Sequence, residues 1–336
     1  MGTVKRLDRL QRRHPAAGLP IAVVYKFADD QGSYLSALLA YYGLVSLFPL
    51  LLLLSSLLGF ALEGNAGLQH TIMASTLSQF PVIGQQLRTS GLKGSGVGVV
   101  IGVLGSLYGG LGIAQAFQNM LNTTWGVPRN ERPNPVRVRL RSLALLATAG
   151  LAIIATTVLS ALAGSAAAYG AELGAGLRVL NSLAAIAVNA AVFVLAFHLG
   201  TARRLRWRDS VPGGLLAALA WQVLQFSGTA VVGHTLKNST AVNGVFGLVL
   251  GLVAFLYLAA VATTLSVEVN VVLAKRLWPR ALLTPFTDDV DLTRGDRRTY
   301  TDAAKAQRAK GFETVDVSFD RQGEAGSPEP DRDDRG

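Results

Sequence analysis

Glu268 is the residue whose chemistry most needs an account. It follows a run, 238–267, that holds no Lys, Arg, Asp or Glu, and beyond Asn270 the apolar pattern continues to Ala274. A carboxylate in such a setting has two readings. It lies within two turns of Lys275 and Arg276 and so pairs at headgroup level with a basic loop residue such as Arg203, or it handles a proton or substrate inside a protein-lined cavity. Neutral amides accompany it in other apolar stretches: Gln115, Gln118, Asn119 and Asn122, then Asn181 and Asn189, then Gln222 and Gln225. Such amides either tie helices together, at about 0.6 kcal/mol each, or line a polar path. The candidate functional set is Glu268, Asn270, Gln115, Gln118, Asn119, Gln222 and Gln225.

Other chemistries find little support. Cysteine is absent, which excludes disulfides and thiolate metal sites. His198 and His234 fall at opposite ends of neighbouring apolar stretches and make no metal pair. Metal-dependent cleavage of RNA needs several carboxylates or histidines converging on a cation, and the acids outside the apolar stretches are scattered through loops and tail. Neither a Walker pattern nor a complete GxGxxG occurs. The expectation is a chain with no catalytic residues, metal or cofactor, and so not an enzyme. A net charge of +10 invites a nucleic-acid reading, yet residues 280–336 carry 10 basic and 13 acidic residues, so the excess charge belongs to the apolar part. No nucleic-acid partner is expected.

The elements that must position Glu268 and the amides follow from the charge-free runs. Half of the 336 residues are hydrophobic and 15% are charged. Six stretches lack any charged residue: 31–62, 94–128, 142–171, 179–202, 210–236 and 238–267. Each exceeds the roughly 20 residues that cross a ~30 Å hydrocarbon core as a helix. Six transmembrane helices are predicted, at about 36–61, 97–120, 142–168, 179–200, 211–235 and 244–273. All 31 Lys and Arg fall outside them, rich and poor segments alternating: 6 in the N-terminal arm, 2 in 63–96, 5 in 121–141, 1 in 169–178, 4 in 201–209, 1 in 237–243 and 12 from Lys275 onward. By the positive-inside pattern both termini are cytoplasmic. Asp209-Ser210-Val211-Pro212 reads as a capped helix start, and Trp125, Trp207 and Trp278 read as interfacial anchors.

The remaining organisation is a cytoplasmic arm over 1–34 with a short interfacial helix at Leu19–Phe27, a transmembrane domain over 35–279, and a disordered cytoplasmic tail over 280–336. The basic start is followed by too short an apolar patch for a cleaved signal, so the first span is expected to serve for targeting. Loop 63–96 is long and nearly uncharged, suited to the outer membrane face or to plugging a cavity. Two features bear on helix shape. Pro49 interrupts the first span, as static shape or as a hinge. Gly98/Gly102 and Gly105/Gly109 are small-xxx-small pairs that suit close helix packing, with a sliding or broken helix as the functional reading. They permit a homo-oligomer without demanding one.

Four segments carry a family resemblance. Ala40-Tyr41-Tyr42-Gly43-Leu44-Val45-Ser46-Leu47-Phe48-Pro49-Leu50 resembles the first-span signature of the YihY/BrkB family of bacterial inner-membrane proteins. Asn119 to Trp125 resembles that family's end of span two, and Arg206-Trp207-Arg208-Asp209 with Gly213 and Gly214 its approach to span five. Leu265-Ser266-Val267-Glu268-Val269-Asn270 is similar to the final-span motif, with Ser and Val where small residues are usual. The resemblance covers about 20–280. It implies an all-α six-helix fold with cytoplasmic ends. The labels its members carry include virulence-associated membrane factor, transporter and an older ribonuclease designation, the last at odds with the scattered acids here.

The expectation for function is a transporter or exporter of the cytoplasmic membrane, with a lipid-like or amphiphilic solute as candidate substrate and the lipid bilayer as surroundings. Three spans followed by three would give halves of opposite orientation, as inverted-repeat transporters require. The rival is a non-transporting scaffold for envelope assembly, acting through its glycine-rich faces and acidic tail.

Overall fold

In lipid a backbone must satisfy its own hydrogen bonds, and a sequence with uncharged apolar runs of this length does so as helices. The computed structural model describes residue 11 and residues 15–61, 96–168, 175–237, 241–287 and 290–319. Among these the regular elements are all helical: α1 Pro15–Asp29, α2 Gly32–Ala61, α3 Gly96–Thr124, α4 Pro135–Ala168, α5 Ala175–Gly200, α6 Trp207–Lys237, α7 Ala241–Lys275 and α8 Arg294–Ala306, with a 3₁₀ turn at Arg129–Glu131. Each predicted span lies inside one of α2 to α7. Stretches within five of these helices are long and apolar enough to cross a membrane: Gly32–Leu53, Val99–Thr124, Pro135–Thr156, Ser182–Gly200 and Val249–Lys275. α6 matches them in length, but Arg208 and Asp209 at its start and Gln222, Gln225 and Ser227 along it dilute its apolar character. Leu104, Tyr108, Leu151, Ile154, Val223 and Phe226 project outward more than half exposed. A surface so apolar suits lipid, not water.

Neighbouring helices run antiparallel, and the register is readable contact by contact. Along α3, Gly102, Gly105, Gly109 and Gly112 meet Leu53, Pro49, Ser46 and Tyr42 of α2 in turn. A Cβ at Gly102 would stand 2.8 Å from the Leu53 backbone, and one at Gly105 2.6 Å from the Pro49 ring. The glycines thus pack α2 against α3 within one chain, and Pro49 is seated over Gly105, which favours static shape over hinge. Gly98 shares the helix, but its surroundings lie outside the described residues. Gly102→Leu should therefore cost about 1–3 kcal/mol as overpacking against backbone. Gly96, where nothing lies within 4 Å of the place a Cβ would occupy, should tolerate the same change. Thermal unfolding of the two variants in detergent checks the contrast.

α7 completes the ring by packing on α2, with Ser36 Oγ and Thr264 Oγ1 3.0 Å apart and Leu47, Leu252 and Phe255 forming an apolar cluster joined by Trp221. α3 joins α4 through Gln118, α5 joins α6 through the stacked rings of His198 and Trp207, 4.2 Å between centroids, and α6 joins α7 through Asn270. The alternation brings α1, the 125–134 turn, the 201–206 turn and the segment after Lys275 to one end of the bundle, here named the terminal end. The largest buried cluster sits there, built from Ala22, Val23, Met120, Leu121, Phe197, Val267, Val271 and Leu277 among others.

Three expectations need correction. Trp125 is 3% exposed and part of that cluster, not an interfacial anchor. The predicted interfacial helix exists as α1, but it is packed into the bundle end, with Ala22 and Lys26 buried. Residues 280–319, expected within a disordered tail, include helix α8. A capping box starts it, Thr293 Oγ1 accepting from Asp296 N and Asp296 reaching back to the Thr293 N–H. Such a helix escapes a hydropathy reading because polar contacts, not apolar burial, hold it. Residues 320–336 and the 63–95 part of the long loop lie outside the described residues.

Candidate functional site

α1 presents Ala22, Val23 and Lys26 to the bundle while Val24 faces outward, 58% exposed. The helix ends at once: Asp30 N donates to Lys26 O, and Gln31 adopts a positive φ of 55° that turns the chain into α2. That turn leaves Lys26 and Asp30 on the inner side, beside α7. Lys26 Nζ is hydrogen-bonded and ion-paired to Asp30, donates to the Thr124 carbonyl at 3.3 Å, and lies 3.9 Å from Glu268 Oε2. Glu268 is fully buried, and among the described residues neither of its oxygens accepts a hydrogen bond from an N–H or hydroxyl. The Asp30 carboxyl lies beside it, close enough for the two to interact electrostatically.

The charges in this cluster do not balance. One lysine faces two carboxyl groups, and carboxyls that close cannot both ionise cheaply. Burial pushes the Asp30 carboxyl above the usual aspartate range, against the pull of Lys26. Lys26 is desolvated too, yet Glu268 and Asp30 outweigh that and hold its ammonium above the usual lysine range. Two carboxyls beside one ammonium carry no net charge when they hold one proton, and losing that proton leaves one negative charge uncompensated in the interior.

A second layer covers the first. Arg280, 1% exposed, donates from Nε to Asp296 at 2.5 Å and from Nη2 to Asp29 at 2.9 Å, joining the residues after α7 to both α1 and α8. Tyr25 and Tyr300 lie near its guanidinium, at 5.9 and 5.6 Å. Burial depresses the Arg280 pKa, but the Asp296 hydrogen bond and the Asp29 charge more than restore it, so it sits above the usual arginine range. Lys275 Nζ bonds the Trp125 carbonyl at 2.7 Å and Asp302 at 2.9 Å. α1 and the C-terminal segment together close the terminal end over Glu268.

The amides predicted to accompany Glu268 have other partners. Asn270 Oδ1 accepts from Gly213 N at 2.6 Å and its Nδ2 donates to Ser210 O at 3.3 Å, pinning the start of α6 to α7. Gly213 permits this approach, since a Cβ there would collide with Ser266 O and the Asn270 amide. Gln118 Nε2 donates to Ser142 Oγ at 2.9 Å and to Val138 O at 3.1 Å, tying α3 to α4. Asn122 Oδ1 accepts from Ala202 N at 2.8 Å. Asn119 is exposed and accepts from Arg132, Gln115 is exposed on the same helix, and Gln222 and Gln225 are half-buried on α6. The side chains of Asn181 and His234 lie outside the described residues. Of the predicted set, Glu268 alone belongs to the charged cluster. Its partner is Lys26, not Arg203.

Lys26, Asp29, Asp30, Arg280 and Asp296 are the members that sequence reasoning passed over. Lys26 and Asp30 carried a signal, an i,i+4 pair of opposite charge on a short helix, whereas nothing local marks Arg280.

The apolar helices and the ring they form define an integral, multi-pass helical membrane protein. Within that class the chain belongs to the family described as virulence factor BrkB, whose model matches residues 23–285. The match begins within α1, at Val23, takes in Lys26 and the bundle, and ends at residue 285, just past Arg280. No curated protein and no solved structure matches the chain.

Proposed function

We propose that this chain is a transporter or exporter of the cytoplasmic membrane that moves a lipid-like or amphiphilic solute and couples movement to a proton held between Asp30 and Glu268. In this reading α2 to α7 are six spans, and the terminal end, which gathers the basic segments 121–141 and 201–209, faces the cytoplasm. The carrying observation is Glu268: a fully buried carboxyl in the last span, with no hydrogen-bond donor among the described residues, and with Lys26 of α1 and Asp30 just past its end against it. Ionisable groups placed this way in spans mark proton relays and substrate paths. Proton uptake would weaken the hold of Lys26 on α7 and loosen α1 from the bundle end. The glycine row is already occupied by α2, so a scaffold could not use it to bind partners without opening the bundle.

The test uses purified full-length protein in phospholipid vesicles, with a trapped pH-sensitive dye and a fluorescent short-chain phospholipid as probes. Wild type should move protons and probe together under an imposed pH gradient. Glu268→Gln keeps the Lys26–Asp30 pair, so it should fold and lose the gradient dependence. Wild type no faster than empty vesicles, in either gradient direction, would sink the reading.

A further inference from the structure

Where α7 ends, the chain turns into an open cavity of about 490 Å³ lined by Arg276, Trp278, Pro279, Thr293, Arg294 and Arg298. We propose that this cavity binds a phosphate group, and that its three arginines are the ligands.

The charge pattern supports the assignment. The buried bases at this end have carboxylates: Lys26 has Asp30 and Glu268, Lys275 has Asp302, and Arg280 has Asp29 and Asp296. Arg276, Arg294 and Arg298 have no acidic partner among the described residues, although they share one concavity. Arg298 is fixed by hydrogen bonds from Nη1 to the carbonyls of Lys275, 3.3 Å, and Arg276, 3.4 Å, which the end of α7 leaves without helical partners. Arg276 sits at φ 53°, a left-handed position that favours glycine and disfavours a long side chain. A guanidinium at a position suited to glycine points to a role outside the fold. Guanidinium forks match phosphate oxygens in pairs.

The level of the cavity identifies the nearer source. It opens immediately past Lys275, the last residue of the Val249–Lys275 stretch, with the half-buried Trp278 in its wall. Basic pockets at that depth meet lipid headgroups, and tryptophan favours the same layer. A soluble phosphate compound would use the same chemistry from the water side.

Arg276→Gly separates binding from folding, because it removes the guanidinium while relieving the backbone. Full-length protein in nanodiscs is melted across graded fractions of phosphatidylglycerol in phosphatidylcholine, and separately in phosphatidylcholine with added inorganic phosphate or pyrophosphate. In plain phosphatidylcholine, Arg276→Gly should melt no lower than wild type. Phosphatidylglycerol should stabilise wild type. Arg276→Gly and Arg294→Gln should each need about fivefold more of it, the scale of one basic side chain at an anionic surface. Arg204→Gln, an exposed arginine in the 201–206 turn, should respond like wild type. The same loss seen with phosphate or pyrophosphate, but not with the lipid, would keep the site and make its source soluble. Equal responses of wild type, Arg276→Gly and Arg294→Gln to every anion would overturn the proposal, and neither result depends on whether the protein transports anything.

Discussion

Lys26→Met should destabilise the protein by about 3–5 kcal/mol at neutral pH, the scale of removing one partner from a buried ion pair. The substitution keeps the volume of the side chain but leaves Asp30 and Glu268 facing each other with no base between them. Lys26 is 5% exposed and Glu268 fully buried, so solvent cannot take over. The sign of the pH dependence follows from the folded values. Lys26 is held above the usual lysine range, so its contribution is complete at neutral pH and disappears only as pH climbs through that raised value. Asp30 is also raised, so what it contributes is present in acid and fades as pH rises through its folded value. In Lys26→Met the two carboxyls can be relieved only by protonation. Its deficit relative to wild type should therefore shrink as pH falls from neutral. Lys26→Met combined with Glu268→Gln should recover most of the loss at neutral pH, because a single carboxyl then remains. Melting curves of the four proteins over a pH series in detergent give the cycle. If Lys26→Met melts with wild type throughout, the pair carries no stability.

Arg280→Met should have a comparable effect on a different part of the molecule. It strands Asp296, which is fully buried, while Asp29 is partly exposed and can return to water. Asp296 still accepts from Thr293 N at 2.9 Å and Ala281 N at 3.0 Å, so the cap of α8 persists after its anchor is lost. About 3–5 kcal/mol, the cost of breaking a buried pair, exceeds what the remaining polar contacts of a 13-residue helix would hold against. α8 should leave the bundle end before the spans melt. Hydrogen exchange would show this as fast exchange over Arg294–Ala306 with protection of α2 and α7 retained. Unchanged protection of α8 would mean that the segment docks by other contacts. Asp29→Asn should produce a smaller change, since its side chain is 31% exposed.

The long apolar helices were legible because lipid imposes a simple requirement, some twenty uncharged apolar residues, that a sequence either meets or fails. Close packing on α3 was legible for a similar reason: glycines four apart put one smooth stripe on a helix, and α2 lies along it. Glu268 stood out by contrast with its surroundings. Its partner did not, because Lys26 is a single charge in a short apolar patch, and pairing across 242 positions leaves no local trace. Arg280 and Asp29, 251 residues apart, are harder still. The amides misled for a physical reason. An amide that spans two helices and one that lines a path have the same neighbours in sequence, and only the positions of Gly213 and Ser142 distinguish them. The C-terminal segment was misread because charge and low hydropathy describe a docked polar helix as well as a disordered chain. The Thr293–Asp296 cap was the available hint.

The contact of α2 with α7 also sets an order of events. Ser36 meets Thr264 across 228 residues, so the first long helix inserts with that face uncovered and waits for the last. Throughout that interval Lys26 has Asp30 four residues away, but neither Glu268 nor the Arg280 layer above it. Non-local closure of this kind is slow, and it leaves unfinished surfaces exposed to the wrong neighbours. A chain arrested before residue 268 would hold most of the bundle and none of the completed charge cluster. The Lys26–Asp30–Glu268 cluster cannot form before the last of the long helices is made.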